Sequence, residues 1–221
     1  MTAPAPRKRV GVLVSGTGTN LQALIDAAKA IDYPAEIAVV VSNVPTARAL
    51  QRASDAGIPT AVIPHGDYPE RAAFDRAVLE ALARHRVELV CLAGFMRLLG
   101  REFLAAYEHR VLNIHPALLP AFPGMHAVRQ ALRYGAKISG CTVHLVDEGT
   151  DTGPIVAQAA VPVLEGDDEA SLAARIHAEE HRLYPLALRL VAEGRAAVQG
   201  REVRVEAAPA AEGLTLRNPG S

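Results

Sequence analysis

Residues 10–28 read V-G-V-L-V-S-G-T-G-T-N-L-Q-A-L-I-D-A-A, and three patterns follow one another along them. Residues 10–15 are a nearly continuous apolar run, the pattern of a strand covered on both faces in a parallel sheet. Residues 16–20, G-T-G-T-N, interrupt the run, and Leu21, Leu24, Ile25 and Ala28 then recur at helical spacing. Strand, glycine-rich loop and helix in this order open an α/β sheet. Backbone N–H groups and the positive end of the helix dipole converge on the loop, where a phosphate would be well held, and Thr17, Thr19 and Asn20 can add side-chain donors. The loop is not a dinucleotide fingerprint, because the third glycine of G-x-G-x-x-G falls at Leu21, and the P-loop lysine is missing too. By itself it reads as an anion loop or as a plain tight turn.

The same alternation extends outward. Residues 36–42 (E-I-A-V-V-V-S) form a second strand closed by Asn43 and Pro45, 46–56 a helix stopped by Gly57, and 59–64 a third strand. Residues 71–85 form an amphipathic helix with Phe74, Val78, Leu79 and Leu82 on one side, and 87–93 a fourth buried strand ending in G-F-M-R-L-L at 94–99. A short helix is expected over 102–109, helices over 127–134 and 169–194, the last with a possible break at Pro185, strands over 139–146 and 155–163, and an edge strand over 201–206. Alternating strands and helices with right-handed crossovers predict an α/β fold, a doubly wound, mostly parallel sheet with helices on both faces. Residues 9–206 are expected to form one domain, with residues 1–8 and 207–221 as disordered tails. Ligands of such sheets gather beyond the carboxyl ends of the strands.

At 221 residues, the chain can bury one sizeable core. A net charge of −1 offers no general attraction for nucleic acid or an anionic membrane, so any anion site must be local. The apolar runs fall well short of the roughly 20 residues of a bilayer span, and no signal-peptide pattern opens the chain, so a cytoplasmic location is expected. Cys91 and Cys141 lie apart in strand-like surroundings and read as reduced core thiols rather than metal ligands.

Chemistry concentrates in residues 110–124, R-V-L-N-I-H-P-A-L-L-P-A-F-P-G. Asn113 and His115 sit at i and i+2 of an extended segment and so share a face, while Pro116 places the pair where a strand gives out into a loop. An amide and an imidazole there can polarise a carbonyl and handle a proton, or can simply satisfy loop backbone. Residues 147–154, D-E-G-T-D-T-G-P, are the second polar concentration, and Asp151, before a tight turn, could bury its carboxylate near His115. Asn, His and Asp then suit acyl-type transfer, with donors for an oxyanion and a base and acid to move the proton.

S-G-T-G-T-N-L-Q-A at 15–23, L-A-G-F-M-R-L-L at 92–99, L-N-I-H-P-A-L-L-P-A-F-P-G at 112–124 and D-T-G-P-I at 151–155 resemble the phosphoribosylglycinamide formyltransferases of purine synthesis. The resemblance runs in order from about residue 9 to residue 200. It implies a Rossmann-like formyltransferase fold and transfer of the formyl group of 10-formyltetrahydrofolate to the amine of glycinamide ribonucleotide, with no metal. It assigns Asn113, His115 and Asp151 to catalysis, and Gly18, Thr19, Asn20 and Glu180 to the ribonucleotide. Met96, Arg97, Leu98 and Leu99, with Arg71 at the glutamate tail, are assigned to the folate. Read without the resemblance, Glu180 is a helix surface charge, Arg71 a solvated helix start, and Met96 and the leucines ordinary core. His144 matches a family position near the catalytic cluster, with a structural role as the alternative. His126 and Val128 fall where relatives often carry two histidines, so a contact made by the second would be missing.

Two small molecules are the expected partners, with no nucleic acid or membrane, and the chain is expected to be a monomer or homodimer. The rival readings are a formyltetrahydrofolate hydrolase or another formyltransferase of the superfamily, and a nucleotide or folate binding module without catalysis. The first would normally carry a further domain for which this chain has no room. The second needs the loop and cleft but not the Asn-His-Asp set.

Overall fold

The computed structural model describes residues 6–206 together with Leu216 and Asn218. In chain order the elements are β1 (Lys8–Val14), α1 (Thr19–Ala28), β2 (Ala35–Ser42), α2 (Arg48–Asp55), β3 (Thr60–Val62), α3 (Arg71–Arg84), β4 (Leu89–Leu92) and α4 (Arg101–Ala106). There follow β5 (Val111–His115), α5 (Ala127–Tyr134), β6 (Ile138–Leu145), β7 (Ile155–Pro162), α6 (Glu169–Ala192), β8 (Ala196–Gln199) and β9 (Glu202–Val205). Seven strands make one sheet in the order β3-β2-β1-β4-β5-β6-β7. Pairings from β3 to β5 are parallel, and β6 and β7 add antiparallel.

Helices cover both faces, as the alternation predicts. One core packs Leu21, Leu24, Ile176 and Leu188 of α1 and α6 against Val12, Leu112 and Val143, and the other packs Phe74, Val78 and Leu82 of α3 against Leu13, Val39 and Val90. The order β2-β1-β4 places the sheet's switch point between β1 and β4, where successive crossovers depart in opposite directions. Burial pushes the thiols of Cys91 and Cys141 up to about 12, in keeping with core cysteines.

Three differences from the expected elements have physical causes. α6 runs unbroken through Pro185 for 24 residues, because burial of Leu172, Ile176, Leu183, Tyr184 and Leu188 outweighs the hydrogen bond that proline forfeits. The strand expected at 201–206 is not an edge of the main sheet. It pairs as β9 with β8 in a separate antiparallel hairpin that turns at Gly200 (φ 62°). β1 begins at Lys8, inside the stretch read as an untied end, where the Lys8 N–H donates to the Pro34 carbonyl at 2.7 Å and the Arg7 guanidinium donates to the carbonyls of Ala28 and Ala35. Residues 1–5 of that stretch and most of 207–221 lie outside the described residues. Among the described residues, no helix is long and apolar enough to cross a membrane.

Candidate active site

β5 carries Asn113 and His115 on one face, and its antiparallel register with β6 sets His144 opposite Asn113 and Thr142 opposite His115. Four polar side chains therefore share one patch of sheet, while Leu112 and Ile114 enter the core on the other face. His115 is 5 % exposed and His144 2 %. Buried polar groups of this kind must find partners.

The partners come from two loops. His115 Nε2 donates to the Phe122 carbonyl at 2.8 Å, and its Nδ1 lies 3.2 Å from Asp151 Oδ2. A carbonyl can only accept, so Nε2 carries a hydrogen, and Nδ1 meets an ionised carboxylate well only when it carries one too. The pair is built to hold a proton between Nδ1 and Oδ2. His144 donates from Nδ1 to the Leu145 carbonyl at 3.0 Å, leaving Nε2 3.2 Å from Asn113 Nδ2 and 3.6 Å from Asp151 Oδ1. Neutral His144 accepts one N–H of the Asn113 amide, and charged His144 would donate to Asp151.

Asp151 thus faces two imidazoles, and Gly124 N–H donates to its Oδ2 at 2.8 Å. Burial alone would raise its pKa, but the His144 contact, the Gly124 N–H and the charge of the two histidines together hold it below the usual carboxylate range. The turn that delivers it is tightly specified. Asp151 is left-handed (φ 55°), a conformation Asp tolerates, and a Cβ on Gly153 would stand 1.7 Å from the Leu145 carbonyl oxygen. The neighbouring 116–124 loop is pinned by Thr142, whose hydroxyl donates to Ala117 O at 2.7 Å and accepts from Leu119 N and Gln158 Nε2 at 3.0 Å each. Nothing local in the sequence marks Thr142 or Gln158. Only their register opposite His115 and each other does so.

The glycine loop lies two strands away in the sheet order. Gly18 (φ 74°) forms the N-cap of α1, and a Cβ there would press on Ala49 of α2 at 2.7 Å. Thr19 and Asn20 are the first residues of α1 rather than part of the loop, so their backbone N–H groups lie in the helix's unpaired first turn. Arg52, which sequence reasoning missed, donates from Nε to the Thr17 carbonyl at 2.9 Å. Glu180 is not the surface charge that its helix position suggests. It is 3 % exposed and accepts from Asn20 Nδ2 at 2.8 Å, while Asn20 Oδ1 is buried with no partner. One turn later the Tyr184 hydroxyl donates, in a shared bond, to the Leu92 and Leu112 carbonyls at 3.0 Å each, which docks this part of α6 on the end of β4 and the first half of β5.

The expected folate residues divide. Met96, Arg97 and Leu98 are exposed, Met96 and Leu98 each by 61 %, while Leu99 is buried in the core with Phe74 and Phe95. Leu99 therefore matches the ordinary-core alternative. Arg71 is exposed at the start of α3, and its Nε lies 3.7 Å from where a Gly100 Cβ would stand. Asp75, buried beside it, accepts from Gly100 N at 2.7 Å and so anchors the far end of the 94–99 loop. Burial raises the Asp75 pKa, against the Gly100 N–H and the nearby arginines. His126 is exposed and Val128 is buried in the core. Among the described residues, no group of three or more His, Cys, Asp or Glu could hold a metal ion.

An imidazole and a carboxylate 3.2 Å apart at the open end of an α/β sheet suit proton-coupled acyl chemistry, and fold and site together define the class as an α/β protein built for it. The chain belongs to the formyl transferase family, whose model matches residues 8–188. The phosphoribosylglycinamide formyltransferase of Mycobacterium tuberculosis is 49% identical over 208 residues, covering 91% of this chain and 96% of that protein. The trifunctional purine biosynthetic protein adenosine-3 of Drosophila melanogaster is 53% identical over 194 residues, 87% of this chain, and the matched part spans only 14% of that protein's length. Among solved structures, glycinamide ribonucleotide transformylase 1 of Symbiobacterium toebii superposes with a TM-score of 0.89 at 54% identity, covering 90% of this chain and 94% of that one.

Proposed function

We propose that the protein transfers the formyl group of 10-formyltetrahydrofolate to the amine of glycinamide ribonucleotide, acting in the cytoplasm on two small molecules in purine synthesis. The observation that carries the reading is the Asp151 carboxylate set between His115 and His144, with Asn113 bonded to the second of them. The relatives named above support the choice of substrates. The phosphate of the ribonucleotide belongs at the free N–H groups of Gly18, Thr19 and Asn20, and its ribose at Glu180, whose carboxylate is already oriented by Asn20. The folate belongs against the exposed faces of Met96, Arg97 and Leu98, with Arg71 for its carboxylate tail.

As the substrate amine adds to the formyl carbon, the oxygen gathers negative charge and needs donors. An amide nitrogen carries two N–H bonds, and His144 takes one from Asn113, so the other is available. Both nitrogens of His115 are engaged, so it can donate to the oxygen only by releasing the Phe122 carbonyl. The Asp151 carboxylate, held by His115 Nδ1, takes the proton that the amine loses, and the proton returns to the folate nitrogen as the carbon–nitrogen bond to the donor breaks. No step calls on a metal.

Mixing the protein with both substrates and following loss of the formyl donor by absorbance tests the reading. Turnover that depends on glycinamide ribonucleotide is expected. Turnover without it would make the protein a hydrolase, and no turnover would leave a binding module.

A further inference from the structure

The roles assigned above leave unused a chain of polar side chains across the ends of β1, β2 and β4. Ser15 is the last residue before the glycine loop. Its backbone N–H donates to the Gly94 carbonyl at 3.1 Å, and its hydroxyl accepts from Met96 N–H at 2.9 Å. The same hydroxyl donates to Asn43 Oδ1 at 2.6 Å, and Asn43, buried after β2, has its Nδ2 3.2 Å from His65 Nδ1. Both ends of the 94–96 turn are thus fastened to one residue, which is also the root of loop 16–20. Phe95 anchors the middle of the turn by packing on Phe74, while the largely exposed Met96 side chain leaves the turn's exit to the backbone bond from Ser15. Asn43 fixes the direction of the hydroxyl hydrogen, which leaves the oxygen lone pairs for Met96 N–H.

We propose that Ser15 is a positioning residue for the formyl donor: its hydroxyl holds the 94–96 turn in register with the ribonucleotide loop. The inference rests on the assignment of these two loops to the two substrates. Its consequence is geometric. An amine held by one loop and a formyl carbon held by the other must meet at near-attack distance, and a small displacement of either costs rate.

The test compares Ser15→Ala and Ser15→Thr with the wild type, reading the Kd for tetrahydrofolate by calorimetry and both KM values by turnover. Loss of the Met96 hydrogen bond should weaken tetrahydrofolate binding about 3- to 10-fold in Ser15→Ala. The KM for glycinamide ribonucleotide should move by less than about twofold, and Ser15→Thr, which keeps the hydroxyl, should restore the folate value. Unchanged folate binding in Ser15→Ala would overturn the proposal. So would equal weakening of both ligands, which marks a general structural role, or failure of Ser15→Thr to rescue. A wild-type protein that binds tetrahydrofolate without formylating the ribonucleotide would sink the functional reading alone, and the Ser15 comparison would stand on binding. A wild type that binds no tetrahydrofolate would overturn both.

Discussion

Replacing Asp151 by Asn removes one charge and little else. Asn tolerates the left-handed backbone at this position as readily as Asp does, and its amide oxygen can still accept from Gly124 N–H, so the turn should keep its shape. What is lost is the carboxylate charge 3.2 Å from His115 Nδ1, and with it the attraction for an imidazolium there. At an effective dielectric constant of about 20, a full charge pair at that separation is worth roughly 5 kcal/mol, which is a ceiling. Asn also cannot take the proton that the amine loses, and a positioned base contributes roughly 100- to 10,000-fold, so kcat should fall at least about 100-fold. Neither substrate is held by Asp151 in this arrangement, so both KM values should stay within about threefold. Steady-state turnover followed by absorbance supplies all three numbers, and a thermal melt confirms that the variant is folded. A kcat within tenfold of wild type would refute the proton-holding role.

Other perturbations separate the remaining parts of the site. Asn20→Ala should raise the KM for glycinamide ribonucleotide and leave folate affinity in place, since it strips Glu180 of its amide donor; a fall in folate affinity instead would show the phosphate loop to be misplaced. Thr142→Val keeps the shape but leaves Ala117 O and Leu119 N without their partner, and should cost about 2–3 kcal/mol by denaturant unfolding. Because the folded Asp151 pKa is depressed, its contribution to stability is present above the ordinary carboxylate value near pH 4 and is lost as pH falls through the folded value. Melting temperatures between about pH 6 and pH 3 should therefore fall more steeply for wild type than for Asp151→Asn. Cys91 and Cys141 should resist a thiol reagent in the native protein and react on unfolding, because burial pushes both thiols up to about 12.

Much of this could be read from the chain by itself, because it depends on short-range pattern. Apolar runs broken by glycine and followed by helical spacing place β1, the loop and α1, and Gly135 ends α5 where its left-handed backbone requires. Alternation along β5 puts Asn113 and His115 on one face, since side chains in any strand point to opposite faces in turn. The suspicion that Asp151 meets His115 was also within reach, as a carboxylate before a tight turn needs a partner.

The rest lay in contacts between residues far apart in the sequence. His144 and Thr142 become neighbours of the β5 pair only through the register of an antiparallel strand, and register is a property of two segments together. Glu180 looks like a solvated charge until α6 is laid against α1, where Asn20 receives it. The proline in that helix reads as a break until burial of the helix's apolar side outweighs it. The bonds from His115 to a loop carbonyl and from Ser15 to the 94–96 turn involve backbone groups, which carry no mark in a sequence. The residue types and their local placement were thus determined by the sequence alone. Which of them share a proton, and which loop is tied to which, was decided by tertiary packing, because burial and pairing are set by distant parts of the chain.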